Sequence, residues 1–389
     1  MGRPYDAVVA GHLCIDVFPS FPSLKPDDKD NLRKVLVPGK LVETGPLTVS
    51  TGGPVSNTGI ALLVLGIKTE LMGKVGTDEF GGLIGNILEQ RDAGRNLIVV
   101  DGETTSYTIA IAVPGSDRIF LHHPGSNNTY CAADVNYEIA AQSRLFHFGY
   151  PPLMKRMFDD GGTELSSILS RVHSLGTITS LDMSLPDPDS PSGKVDWLGI
   201  LSRSLPHVDI FLPSAEETMF MLDRPRFDEL QQQGNILDMI DADDLSRLSR
   251  GALELGCKVA VIKCGHRGVY VRTGDCTGIV DDPAAWSNRE LWEPVYKVDR
   301  VVSATGSGDS AIAGFLAAFL RNLGVEECAR YATAVGAENV EAMDAISGVG
   351  TWDEITARIR AGWPKVPLTV TAQGWKLDDA RQTWIGPCK

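Results

Sequence analysis

Short apolar, β-prone runs alternate along the chain with longer stretches whose apolar residues recur at helical spacing. Runs at 7–11, 145–148, 178–182, 209–212 and 259–263 predict strands, and 161–175 and 244–256 predict helices, the latter ended by Gly256. Such alternation predicts an α/β fold: a mainly parallel sheet with helices on both faces. Two segments depart from it. Residues 34–51 and 98–123 read as strands (34–37, 47–50, 107–113, 118–121) without helices between them, and Pro-Gly pairs at 38–39, 114–115 and 124–125 supply turns. They predict a small β-sheet built from two insertions over one end of the main domain, either a lid that closes over a substrate or a plain edge extension. The α/β core then comprises 1–16, 53–97 and 125–389, and the lid 17–52 and 98–124. Residues 185–193 read as a loop and 223–244 as an acidic surface insertion with a helix. The tail, 363–389, carries Trp375, Trp384, Pro364, Pro367 and Pro387, and is expected to wrap back onto the core.

Composition narrows the classes. The balance of 43% hydrophobic and 22% charged residues is that of an ordinary soluble globular protein. A net charge of −14 excludes broad contact with nucleic acid or anionic lipid, yet leaves room for a small anion in a local pocket. The seven cysteines are scattered and form no Cys-x-x-Cys pair, which suits a reducing compartment. The apolar run at 7–11 is too short for a signal peptide, and no run approaches the roughly 18 residues of a membrane span. A cytoplasmic location is the expectation.

The strongest local pattern is Thr305-Gly306-Ser307-Gly308-Asp309, followed by a stripe of Ile312, Phe315, Leu316, Phe319, Leu320 and Leu323 that predicts a helix ended at Gly324. Small residues at a helix start expose backbone N–H groups and the positive end of the dipole, which together suit an anion. Asp309 in the first turn could take a proton from a hydroxyl while those amides hold a phosphoryl group; it could equally be a capping residue after a glycine turn. A second pattern runs from Thr51-Gly52-Gly53 through Asn57 to a small-residue helix ending at Gly66, and then to Gly73-Lys74-Val75-Gly76-Thr77-Asp78. The paired glycines admit close approach of a ligand, and Asn57 offers a donor and an acceptor to a polyol, or a helix cap. Asp16, after the first strand, is a candidate acceptor for hydroxyls or a turn residue. Ser214-Ala215-Glu216-Glu217 and Lys263-Cys264-Gly265-His266-Arg267-Gly268 each follow a strand, where ligands bind in open α/β sheets. His122 and His123, adjacent on a strand, point to opposite faces, which argues against a metal there. No Gly-x-Gly-x-x-Gly follows the first strand, where Gly11-His12-Leu13-Cys14 stands instead, so a nicotinamide-binding reading has no support.

In this order, the segments between about residues 6 and 355 resemble the ribokinase-like (PfkB) family of carbohydrate and nucleoside kinases. The stretch from Gly52 to Gly81 is similar to the family's amino-terminal signature, and that from Ser303 to Asp309 to its carboxy-terminal one. The resemblance implies a kinase dependent on ATP and Mg²⁺ that acts on a small-molecule sugar or polyol. It implies Asp309 as catalytic base, with Gly306, Ser307 and Gly308 as the backbone anion hole. It also implies Asp16, Gly52, Gly53 and Asn57 at the acceptor hydroxyls, and Lys263, Gly265, Gly268 and Thr305 at the nucleotide. Glu217 would organise Mg²⁺ through water, and the lid would offer a homodimer contact. Three positions depart from the family pattern: Ser303-Ala304 replaces Asp-Thr, Ser214 stands where Asn is usual, and Asp344-Ala345 replaces a Gly-Ala turn. A serine is a weak cation ligand, so K⁺ activation does not follow. A nucleoside kinase and a catalytically inactive sugar-binding regulator are the alternative readings.

Overall fold

Parallel strands need helical crossovers that bury both faces of a sheet, and so their sequences read as continuous apolar runs. A computed structural model of the chain, which describes residues 3–25, 28, 30–114 and 119–387, has this arrangement. The strands Thr69–Met72, Tyr5–Gly11, Ser143–Gly149, Ile178–Leu181, Ile210–Phe211 and Val259–Lys263 lie side by side in that order, all parallel. The sheet continues antiparallel through Val269–Thr273, Glu290–Glu293, Thr383–Ile385 and Lys376–Asp378, making ten strands. Alternate residues feed two cores. Val9, Leu71, Leu145 and Val261 pack with one set of helices, while Val8, Phe146, Phe148 and Phe211 pack with another. The predicted α/β class is therefore observed, with its five strands and with the helices Thr163–Ser174 and Ala242–Glu254.

The helix Ser307–Leu320 lies between the helices Pro54–Val64 and Val325–Asn339, and it is buried on every side from Asp309 onward. Gly314 permits the close crossing, because a Cβ there would sit 2.4 Å from the Tyr331 carbonyl oxygen. Gly324 does not end this helix as predicted. It stands instead at the N-cap of Val325–Asn339, with an ordinary φ of −68°.

The small sheet has four strands, in the order Leu47–Gly52, Cys14–Pro19, Tyr107–Ile111 and Ile119–His123. Cys14–Pro19 starts before the predicted boundary at 17 and carries Asp16 inside the sheet, not in a turn. The predicted strand 34–37 is replaced by the short helix Asn31–Val35. β-Branched residues favour a strand only beside a partner edge, and here the buried Asn31 fixes the segment by donating to the Lys25 and Pro114 carbonyls (2.7 and 2.8 Å). Ile98–Val100, within the second insertion, pairs with Lys74–Gly76 in a separate two-stranded sheet. Arg118, the first residue of the predicted strand 118–121, lies outside the described residues.

The 223–244 segment is more than a polar surface insertion. It forms the helices Arg224–Gln233 and Ile236–Met239 and buries Phe227, Leu230, Ile236 and Ile240. The tail is built into the sheet, with Trp384 paired opposite Trp292 and its indole N–H donating to the Leu368 carbonyl (2.9 Å).

Candidate active site

Gly306 adopts φ +73°, and a Cβ on it would lie 2.4 Å from that of Ala345. That left-handed turn reverses the chain into the helix Ser307–Leu320 and puts Asp309 in its first turn. The Gly308 and Asp309 amides have no intrahelical acceptor. The Ser307 amide is already committed to the Ala304 carbonyl (3.3 Å), which leaves those of Gly308 and Asp309 free to meet an anion. Thr305 does not face this opening with its backbone N–H, which bonds to Ser303 Oγ (3.2 Å), while its carbonyl accepts from Asn339 (3.0 Å).

Asp309 is buried and accepts from three side chains. Asn57 Nδ2 donates to Oδ2 (3.0 Å), Thr58 Oγ1 to Oδ1 (3.5 Å), and the Tyr150 hydroxyl to both oxygens (3.0 and 3.1 Å). Burial raises the Asp309 pKa above the usual carboxylate range, against the downward pull of Asn57, Lys263, Tyr150 and Thr58. The Tyr150 phenol is held well above its ordinary pKa by burial and by Asp309 itself, so it remains a donor. Tyr150 sits at φ +62°, a left-handed conformation uncommon for a bulky residue, directly after the strand Ser143–Gly149.

Asp16 lies against Gly52, where a Cβ would fall 2.1 Å from Oδ2. Its pKa is pushed up to about 6, chiefly by burial. Gly53, at φ +80°, leaves room for His12, whose carbonyl and Nδ1 would stand 2.5 and 2.6 Å from a Cβ. The structure thus brings Asp309, Asn57, Asp16, Gly52 and Gly53 together around one site. Tyr150, Thr58 and His12 complete it, and sequence reasoning had missed all three.

Lys263, at the end of the strand Val259–Lys263, links this pocket to a second acidic group. Its ammonium pairs with Asp182 and the Leu212 carbonyl, and its Cε would lie 3.6 Å from a Cβ on Gly308. Burial works against the Lys263 charge, but Asp182 and Glu217 hold its pKa above the ordinary value. Asp182 Oδ2 is buried without a partner; its position at the carboxyl end of a core strand was the available signal. Glu217 closes a capping box at the start of the helix Ala215–Leu222: Ser214 N–H donates to its Oε2 (2.6 Å), and its own N–H donates to Ser214 Oγ (3.1 Å). Gly265 and Gly268 hold the next turn at φ +53° and +93°; their close neighbours are Leu237 and the Glu293 carbonyl, not Asp309. The departures have local roles: Ser214 caps its helix, Ser303 Oγ accepts from the Thr305 amide, and Asp344 Oδ1 accepts from the Ile346 and Ser347 amides (2.9 and 2.6 Å).

These residues fit a bound polyphosphate: helix-start amides without an intrahelical acceptor, a half-buried ammonium beside them, and close-approach glycines. Among the described residues, no group of three or more His, Cys, Asp or Glu is arranged to hold a metal ion. Nor is any helix long and apolar enough to cross a membrane.

Residues 9–352 match the model of the pfkB family of carbohydrate kinases. The chain is 25% identical over 287 residues to an uncharacterized sugar kinase of Archaeoglobus fulgidus, covering 73% of this chain and 96% of that protein. It is 24% identical over 362 residues to a probable chloroplastic fructokinase-6 of Arabidopsis thaliana, covering 90% of this chain and 81% of that one. The structure of Arabidopsis thaliana ribokinase with ribose and ATP superposes with a TM-score of 0.68 at 18% identity, over 92% of this chain and 98% of that one. A putative ribokinase II from E. coli, solved with ATP and Mg²⁺, gives the same TM-score and identity over 92% and 99%.

Proposed function

Since the chain belongs to the pfkB family of carbohydrate kinases, we propose that it transfers the γ-phosphoryl group of MgATP to a hydroxyl of a sugar or sugar-derived small molecule. The observation that carries this reading is Asp309: a buried carboxylate with three side-chain donors, in the first turn of a helix whose free amides adjoin Lys263. ATP supplies the phosphoryl group and its Mg²⁺ neutralises the phosphate oxygens.

The protein's part is positioning and proton handling. Asp309 accepts the acceptor hydroxyl's proton, its basicity raised by burial. The Gly308 and Asp309 amides, with those of Gly306 and Ser307 shaping the turn, stabilise charge on the transferred group. Lys263, Thr305, Gly265 and Gly268 line the nucleotide side. Glu217, through water, and Asp182, whose Oδ2 is buried without a partner, would hold the divalent ion. Asp16, Asn57, Gly52 and Gly53 hold the acceptor. No K⁺ requirement is proposed, because Ser303 is used in its own turn.

The small sheet closes the acceptor side and offers a homodimer contact. Val49, Val17, Ile109 and Leu121 form an apolar row on the face opposite Asp16, with Val17 packed against the core and Leu121 50% exposed.

A coupled ADP-release assay over sugars, polyols, sugar acids and nucleosides tests the proposal. Asp309→Asn should lower turnover at least ~10²-fold with little change in nucleotide affinity. Turnover within a few-fold of wild type in that variant would overturn the assignment of the base.

A further inference from the structure

Strand register in the small sheet sets four polar side chains in one transverse row. Ser50 pairs with Asp16, Asp16 with Thr108, and Thr108 with His122. Directly paired residues share a face. Cys14, two residues before Asp16, joins that face opposite Gly52, and its thiol donates to Asp16 Oδ1 (3.4 Å). Thr108 Oγ1 and His122 Nδ1 are 3.0 Å apart.

The row continues toward the base. The His12 ring lies 5.3 Å from that of His122 and 6.1 Å from that of Tyr150, whose hydroxyl rests on Asp309. His122 stands exposed at the rim and His12 is buried behind it.

Several buried atoms along this wall have no partner in the protein: both ring nitrogens of His12, Asn57 Oδ1 and Ser50 Oγ. Buried polar atoms left unpaired are destabilising, and where they line a pocket they mark what its ligand must supply. A neutral imidazole offers one donor and one acceptor, and hydroxyls and an amide offer both, so the set matches groups that also donate and accept.

Charge sharpens the assignment. Burial, then His122, lowers the His12 pKa well below its usual value, and desolvation with His123 lowers that of His122. Among the described residues, no Lys or Arg forms an ion pair or hydrogen bond with Asp16, His12 or His122, whose neighbours are Cys14, Thr108, Tyr150 and one another's rings. Lys263, which does act on Asp309, is committed to Asp182 and the Leu212 carbonyl.

We propose that this wall selects an uncharged polyhydroxyl acceptor and rejects sugar acids and sugar phosphates, with Ser50, Thr108, His12 and His122 acting as specificity-determining residues beside Asp16. An anionic acceptor would face the Asp16 and Asp309 carboxylates, and Lys263, the cation acting on Asp309, is already held by Asp182 and the Leu212 carbonyl. A neutral polyol satisfies the unpaired atoms. The inference rests on the kinase reading only in taking the Asp309 pocket as the acceptor's.

Calorimetry on the full chain, with D-fructose, D-ribose and sorbitol against D-gluconate, D-glucuronate and fructose 6-phosphate, tests it independently of turnover. At least one neutral compound should bind about tenfold or more tightly than every anion. Thr108→Val, which keeps shape and removes the hydroxyl, should weaken that binding about tenfold while ATP binding holds, showing that the variant is folded. An acid or phosphate bound most tightly overturns the inference. So does absence of binding by all three neutral compounds in protein that still binds ATP, or unchanged affinity in both Thr108→Val and His122→Ala. Neutral binding that Thr108→Val weakens, without ADP release, would uphold this inference and overturn the kinase reading alone.

Discussion

The proposed phosphate cradle and the proposed acceptor wall meet at Asp309, yet they are built in opposite ways. The cradle is one contiguous stretch, residues 305–309, shaped by a single left-handed glycine and the start of a buried helix. The wall gathers Asp16, Ser50, Asn57, Thr108 and His122 from five separate elements, and His12 and Tyr150 from two turns, through strand register and one strained turn. Local geometry fixes backbone donors for a group common to every reaction of this type. Long-range geometry fixes side chains, and these can differ without disturbing the cradle. The division predicts that damage to the two regions appears in different kinetic parameters.

The largest effect is expected at Gly306. Alanine there would bring a Cβ within 2.4 Å of the Ala345 Cβ, at a φ of +73° that L residues avoid. The turn must shift, and with it Asp309 and the amides that precede it. Gly306→Ala should lower kcat by about 10²-fold, as misplacement on the ångström scale does. Gly52→Ala is its counterpart in the wall, with a Cβ 2.1 Å from Asp16 Oδ2. Displacing that carboxylate should raise the acceptor KM about tenfold and leave the ATP KM in place. Steady-state kinetics with each substrate varied would separate the two. If both variants moved the same parameter, the cradle and the wall would be one cooperative unit and the comparison would fail.

Legibility in the sequence follows the same division. The core strands, the helix stripe after Asp309 and the glycine turn were readable because each is set by neighbours within a few residues. Asp16 was visible as a residue, but its place inside a strand was not: Cys14–Pro19 is short and pairs with partners about 35 and 90 residues away. Thr108 and His122 carry meaning only once that register exists. Tyr150 follows Gly149 without any motif, and its left-handed φ is imposed by packing. The 34–37 run failed for the converse reason, since its β-prone residues have their position set by Asn31 and its two carbonyl partners. The tail strands were hidden because Trp384 and Ile385 have a strand identity only beside Trp292 and Leu291.

Tyr150 lies on the boundary between the two regions, and it sharpens the comparison through the smallest effect. Its hydroxyl donates to both Asp309 oxygens and stabilises the charged form. Asn57, Thr58 and Lys263 act in the same direction, whereas burial and the charges of Asp16, Asp182 and Glu217 act against it. Removing the hydroxyl in Tyr150→Phe therefore raises the Asp309 pKa, and the protonated, inactive form persists to higher pH. The acid limb of kcat/KM should move upward, with activity on that limb reduced by about threefold to tenfold, the worth of one net hydrogen bond. Above the limb, where Asp309 is ionised in both proteins, the rates should converge. A uniform loss at every pH would instead make Tyr150 a packing residue of the acceptor wall, with no part in setting the basicity of Asp309.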